Sequence, residues 1–222
     1  MNRNIGPFIA INLLALSTVM NSDGQGFINL DFERGVTSSN TIPGWTAYVN
    51  GSPTTVLSNN IALNGGAVCL LGTNGGFQQI QGAWFAYLQG QTVGFPNTAS
   101  IGQTGMVPIT AESLIFWGSV GAGDVTFNGQ TLPLVVLGTA PNYKIYGANI
   151  SGFAGGVGQL LFTSYSSQVG GQWDSVDNIQ FSTQFIPEPS AVALLSVGVL
   201  SFGLIRTRLQ NGTGLGRNFR ND

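Results

Sequence analysis

The chain has 222 residues, of which only 7% are charged, and it contains no histidine. The absence of histidine excludes Ser-His-Asp triads, histidine metal sites and the zinc-protease helix motif. Arg34 and Lys144 are the only cations between the two terminal apolar runs. Two cations are too few to neutralise a run of phosphates, so nucleic-acid binding is not expected. Polarity comes instead from Gly, Asn, Gln, Ser and Thr, which is typical of an exported β protein.

The N-terminal region has the features of a secretory signal peptide. A weakly basic start precedes a mostly apolar run over residues 5–20, and the small residues Ser22 and Gly24 follow it. Signal peptidase prefers small residues two positions apart, so we predict a signal peptide over residues 1–24. Cleavage after Ser17 and a buried N-terminal helix are the alternatives.

Residues 25–185 form the predicted domain. Short apolar or alternating segments separated by Gly, Asn and Pro indicate about ten strands, and no long helical periodicity interrupts them. The predicted strands are 27–33, 45–49, 67–71, 83–89, 99–104, 113–117, 125–127, 130–132, 143–150, 158–166 and 173–181. The pattern predicts an all-β fold, an antiparallel two-sheet β-sandwich of the jelly-roll type. An N-terminal signal-peptide helix and a short hydrophobic C-terminal helix flank it.

Three of these segments carry more specific signals. The strand 27–33 alternates cleanly, with Ile28, Leu30 and Phe32 on one face, as a half-buried strand does. The segment 83–89 is apolar on both faces, which predicts a central strand covered on both sides. Asn-Gly at 128–129 predicts a two-residue hairpin turn with positive φ angles.

Four acidic residues are placed near the two ends of the domain. Asp31 and Glu33 lie on the predicted first strand, and Asp174 and Asp177 on the last. The first and last strands of a sandwich are often neighbours, so these carboxylates are expected to converge and a structural calcium ion is one hypothesis. The segments around them also resemble the ends of galactose-binding-like carbohydrate-binding jelly rolls, and this resemblance implies calcium there. Solvated acids beside Arg34 are the alternative.

Exposed aromatic side chains can stack against sugar rings. Trp45 and Tyr48 lie near predicted loops and form the candidate exposed pair. Trp84 and Trp117 lie in apolar strands, which predicts core positions for both. Cys69, the single cysteine, is predicted to be a small buried residue, with an intermolecular disulfide as the alternative.

Residues 186–222 contain a Pro-Glu-Pro-Ser motif, an apolar run over 191–205 and arginines. The residues concerned are Pro187, Glu188, Pro189, Ser190, Arg206 and Arg208. In this order they resemble the PEP-CTERM sorting signal. A permanent tail anchor is the alternative, but a helix over 190–205 spans only about 24 Å, short of the ~30 Å hydrocarbon core.

The resemblance implies an itinerary for the chain. Signal peptidase and exosortase would process its two ends while the precursor is transiently inserted in the inner membrane. The product would reach the cell surface or extracellular matrix of a Gram-negative-type bacterium. The body also resembles uncharacterised exported proteins with this tail, and the matching segments are 32–33, 43–45, 100–105, 127–130 and 150–155.

We therefore expect an exported, non-enzymatic protein with a structural or adhesive role in extracellular polysaccharide. A discrete carbohydrate-binding module is the second hypothesis, which exposure of Trp45 and Tyr48 on a concave face would favour. A glycan hydrolase is the third, and it requires two carboxyl groups roughly 5–10 Å apart in a cleft. Apart from the calcium hypothesis, no cofactor is expected.

Overall fold

The structure is a computed structural model that describes residues 26–61, 66–91, 97–121, 123–165 and 172–187. Thirteen strands are present in these ranges. They are β1 Thr46–Val49, β2 Ser52–Thr54, β3 Leu57–Ser58, β4 Ala67–Gly72, β5 Trp84–Gln91, β6 Ala99–Met106, β7 Ser113–Ser119, β8 Asp124–Phe127, β9 Gln130–Thr131, β10 Val135–Thr139, β11 Lys144–Asn149, β12 Val157–Ser164 and β13 Gln172–Ser182. Helical structure in the same ranges consists of two short 3-10 turns, Thr73–Gly75 and Ser151–Phe153.

The strands form two sheets. The six-stranded sheet has the order β2-β1-β6-β12-β8-β9, and the seven-stranded sheet has the order β10-β11-β7-β13-β5-β4-β3. The strands pair antiparallel, apart from the short parallel pair β3 and β4. From β5 to β8 the chain changes sheet at each successive strand, as in a jelly roll. The predicted all-β, two-sheet sandwich is confirmed.

The main core lies between the two sheets. Phe116 on β7 and Phe162 on β12 meet there edge to face, with ring centroids 5.1 Å apart, and both side chains are almost fully buried. Leu88 on β5 and Val176 on β13 face the same core. Edge-to-face rings add about 0.5–1.5 kcal/mol to the burial of their apolar area, so this contact helps to join the sheets.

A second, smaller core covers the outer face of β4 and β5. Cys69 and Leu71 from β4 pack there with Phe85 from β5, and the loop residues Phe77 and Ile80 cover them. The prediction that segment 83–89 is a central strand is confirmed, because β5 lies between β4 and β13. Both faces are covered at Phe85 and Leu88, which pack in the second and the main core. Cys69 is fully buried, as predicted.

The predicted Asn-Gly hairpin is also confirmed. Asn128 and Gly129 join β8 to β9 with φ angles of 49° and 77°. Both residues thus occupy the left-handed region that a type I′ turn requires.

The prediction of a strand over 27–33 is wrong. Asn29 and Phe32 have φ angles of 53° and 57°, which belong to turns. The Asn29 side chain explains the turn, because its Oδ1 accepts a hydrogen bond from the Arg34 amide at 3.0 Å. Phe32 is consequently buried while Ile28 is 44% exposed, so the alternation of the sequence does not correspond to two faces.

The predictions for the two ends fall mainly outside the described residues. These include the signal peptide over 1–24 and, in the sorting signal, Glu188, Pro189, Ser190, Arg206 and Arg208. Pro187 is described, and it is exposed at the end of the domain. Within the described ranges, no helix has both the length and the apolar character needed to span a membrane.

Candidate functional site

The outer face of the seven-stranded sheet carries an exposed tryptophan. Directly paired residues of antiparallel strands point to the same face, and side chains alternate along each strand. On β13, Trp173 and Ser175 therefore face outward, whereas Val176 faces the main core. Together with their neighbours they form what we call the aromatic face, which consists of Tyr87, Trp117, Ser119, Tyr143, Trp173 and Ser175.

One side of the aromatic face is a stacked pair formed by Trp173 and Tyr87. Their ring centroids lie 6.4 Å apart with the planes inclined by 25°. Trp173 is 53% exposed, and Tyr87 is half-buried beside the second core. Burial raises the pKa of the Tyr87 hydroxyl well above its ordinary value, so Tyr87 is neutral at any physiological pH. The pair thus presents an uncharged aromatic surface to solvent.

The other side is a second stacked pair. Trp117 on β7 and Tyr143, which immediately precedes β11, lie 5.3 Å apart with nearly parallel rings inclined by 8°. Both side chains are half-buried. Two aromatic pairs held by mutual stacking are rigid, so little side-chain entropy is lost when a ligand covers them.

Small polar residues lie between the two pairs. Ser175 pairs with Tyr87 on one side and with Ser119 on the other. Ser175 is buried, with 7% of its surface exposed, whereas Ser119 is exposed. The Ser119 hydroxyl can donate and accept hydrogen bonds at the floor of the face, between the aromatic rings.

Residues 73–83, which we call the strap, cross the outer face beside the aromatic residues. Phe77 and Ile80 pack in the second core. At the far end the Asn142 side-chain amide donates a hydrogen bond to the Gln79 carbonyl. The strap therefore connects the β4–β5 edge to the turn before β11 and limits the aromatic face on that side.

Two carboxylates hold the last residues of the strap. Oε1 of Glu33 accepts hydrogen bonds from the amides of Ala83 and Trp84, at 2.8 and 3.1 Å. Oδ2 of Asp177 accepts a hydrogen bond from the Gln81 amide at 2.9 Å. Both carboxylates thus accept backbone hydrogen bonds that hold this segment in place.

Asp177 has no exposed surface, and this burial raises the pKa of its carboxyl to about 8. The amide hydrogen bonds from Asn178 and Gln81 act in the opposite direction, since they favour the ionised form. The nearby charges of Glu33 and Asp31 raise the pKa further. Asp177 is consequently a carboxylic acid that titrates near neutral pH.

The four predicted calcium ligands do not converge. Asp31, Glu33 and Asp177 lie close enough to interact electrostatically. Asp174 pairs with Leu88 on the opposite, core-facing side of β13, and its Oδ1 accepts a hydrogen bond from the Gly121 amide. Among the residues that the structure describes, no group of three or more His, Cys, Asp or Glu side chains is arranged to hold a metal ion.

The prediction of Trp45 and Tyr48 as an exposed pair is wrong for Trp45. Trp45 is 5% exposed, packs against Phe32, and its Nε1 donates to the Asn29 carbonyl at 3.0 Å. Tyr48 is half-buried and pairs with Ser100 on the outer face of the other sheet. Trp45 cannot stack with a sugar because the turn over 29–34 covers it.

The sequence analysis does not predict the aromatic face, because Trp117 is assigned to the core from the apolar character of its segment. Trp117 was predicted to lie in the core, yet it alternates with Phe116 and faces outward. The alternation of side chains along a strand does predict the outward position of Trp173. In the segment Trp173-Asp174-Ser175-Val176, a buried Val176 places Trp173 on the opposite face.

The chain matches no protein-family model and no curated protein. Solved structures with a similar fold include TmCBM61 in complex with β-1,4-galactotriose, at 16% identity and a TM-score of 0.44 over 72% of this chain and 99% of that one. The enzymatically active domain of bacteriophage CBA120 tailspike protein 4 has 16% identity and a TM-score of 0.41 over 71% of this chain and 21% of that one. The K2 cleaved adhesin domain of Lys-gingipain has 13% identity and a TM-score of 0.42 over 68% and 96%. With identities of 13–16% and TM-scores of 0.41–0.44, these likenesses carry no argument about this chain.

Proposed function

We propose that the domain is a glycan-binding module of an exported protein, and that its ligand stacks on the aromatic face. The observation that carries the proposal is Trp173, a half-exposed tryptophan held against Tyr87 on an open sheet face. Single exposed apolar side chains are common, but Trp173 belongs to a group of four aromatic rings on one sheet face, and such a group indicates a contact surface.

The chemistry of the face suits a carbohydrate. A pyranose ring presents C–H groups on its flat sides and hydroxyl groups around its edge. The rings of Trp173 and Tyr87 can cover the apolar side, and the hydroxyl of the exposed Ser119 can exchange hydrogen bonds with the edge. The six side chains of the face carry no formal charge at neutral pH, which favours an uncharged glycan.

We also propose that the module is non-catalytic. A two-carboxylate hydrolase needs an acid and a base or nucleophile open to the substrate. The acid nearest the face, Asp177, has no exposed surface, and Glu33 accepts two backbone hydrogen bonds from the strap. Prolonged incubation of the protein with a bound glycan should release no new reducing ends. Release that Asp177→Asn abolishes would contradict this part of the proposal.

The proposed role is adhesion to extracellular polysaccharide after export. The sequence of the tail supports exosortase processing, and the end of the domain is compatible with it. Ile186 is buried beside Leu137 over Gly147, whereas the following Pro187 is exposed. The first proline of the motif is therefore accessible at the surface of the described part of the chain. Mass spectrometry of both mature termini, in cells with and without exosortase, tests this part. An intact tail in both strains would reject it.

Glycan binding is tested by titrating the full-length chain with a panel of neutral and acidic polysaccharides while tryptophan fluorescence is recorded. At least one neutral polysaccharide should give a saturable change, because Trp173 moves from water into contact with sugar. Val157→Ala removes an exposed apolar side chain elsewhere and should leave that change intact. No response across the whole panel would overturn the proposal.

A further inference from the structure

Resting on the proposed glycan binding, we infer that the aromatic face recognises an oligosaccharide chain that covers both stacked pairs, and not a single sugar. Trp173 with Tyr87 forms the first contact surface, and Trp117 with Tyr143 forms the second. The distance between these two surfaces and the small side chains between them support this inference.

The register of the strands sets this distance. Tyr87 lies on β5 and Trp117 on β7, and β13 runs between them. Two strand spacings amount to about 9.6 Å across the sheet. Trp117 pairs with Asp177, two residues along β13 from the Ser175 that pairs with Tyr87, which adds about 7 Å along the strands. Tyr143 precedes β11, one strand further, which places it about 14 Å across the sheet from β5. A single pyranose ring is roughly as wide as one aromatic ring, so it cannot contact both pairs.

The floor allows a chain to pass from one pair to the other. Ser175 and Ser119 are directly paired there, and neither side chain is bulky. The next outward residue of β13 is Asp177, which lies beneath the strap. A chain is therefore directed across the strands, from Trp173 towards Tyr143, along the edge of the strap.

Two linked contacts strengthen one another. Once one sugar unit rests on the first pair, the second pair meets the next units at a high effective concentration. The affinity should therefore rise steeply at the chain length that first reaches both pairs, by about tenfold or more. Beyond that length it should level off, since no further aromatic pair follows on the described part of this face.

The test uses isothermal titration calorimetry of the full-length chain with β-1,4-linked gluco- and galacto-oligosaccharides of one to six units. Any series that binds should show the step in affinity. Tyr143→Ala should abolish the step, whereas Tyr143→Phe, which keeps the ring, should preserve it. Circular dichroism and thermal melting confirm that each variant is folded.

The outcomes separate this inference from the proposed function. A single sugar that binds as tightly as the hexasaccharide, or a Tyr143→Ala variant that keeps the step, would overturn the two-surface inference and leave glycan binding intact. If neither series nor any polysaccharide of the panel binds, the proposed function fails and this inference fails with it.

Discussion

Trp173 lies against Tyr87 across neighbouring strands, with the ring centroids 6.4 Å apart, and still exposes 53% of its surface. The contact fixes one side of the indole and leaves the other side to solvent. The pairing of β13 with β5 brings the two rings together, so the register of these strands forms this part of the proposed binding surface.

Replacing Trp173 with alanine should weaken glycan binding without unfolding the protein. Loss of one stacking ring is expected to cost about 1–2 kcal/mol of binding free energy, or roughly 5- to 30-fold in Kd. The melting temperature should change little, because half of the side chain is already in water. Calorimetry of Trp173→Ala beside Val157→Ala makes the comparison. Equal affinities of the two variants would mean that Trp173 is not in the site.

Glycan binding should be nearly independent of salt. The six side chains of the aromatic face are uncharged, so no ion pair is available for screening. Raising NaCl from about 50 to about 500 mM should change Kd by less than about twofold. A tenfold loss over the same range would indicate that Lys144, next to Tyr143, or another charged group supplies much of the affinity.

Asp177 should make the stability of the domain depend on pH. Its folded pKa of about 8 lies above the ordinary value of 3.8, so the folded protein binds the extra proton between these pH values. The free energy of unfolding is therefore highest below about pH 4 and falls as pH rises to about 8, by at most about 1.4 kcal/mol per pH unit from this group.

Urea unfolding of the wild type and of Asp177→Asn at several pH values checks this dependence. The variant cannot ionise at this position, so its unfolding free energy should lose the part of the slope between pH 4 and 8 that Asp177 contributes. Asp174, whose carboxyl pKa burial also raises, should keep its own part. Glu112→Gln, which removes a carboxyl at the start of β7, serves as the control and should retain the slope. A slope of equal size in Asp177→Asn would show that other groups cause it.

The junction of β7 and β13 should not tolerate a side chain at position 118. A Cβ on Gly118 would overlap the backbone carbonyl oxygen of Ser175 on the neighbouring strand β13. Gly118→Ala should cost about 1–3 kcal/mol of stability. Gly152→Ala is the matched control, since a Cβ there meets nothing within 4 Å. Thermal melts of the two variants should differ, and equal melting temperatures would show that the strands separate easily at this point.

The fold could be predicted from the sequence where local and global signals agree. The Asn128-Gly129 turn needs only backbone conformations that these residues favour, and segment 83–89 is apolar enough to require cover on both faces. The strand predicted over 27–33 is absent because the Asn29 side chain closes a turn there. Such a turn competes with a strand that has the same polarity pattern.

The candidate site could be predicted less well, because it depends on register between distant strands. Trp173 and Tyr87 are far apart in the sequence, and only the pairing of β13 with β5 brings them together. Asp174 and Asp177 are separated because side chains alternate along a strand. Two residues three positions apart therefore lie on opposite faces. The prediction that Trp45 is exposed is wrong because nearness to a loop does not show whether another turn covers the ring.

The most direct test of glycan binding on the aromatic face uses NMR of the four indole N–H groups during a titration with the glycan that binds. The Trp173 resonance should shift most, followed by that of Trp117. The Trp45 resonance should stay in place, because its N–H is buried and bonded to Asn29. Saturation of binding with no change at Trp173 would contradict the proposed site.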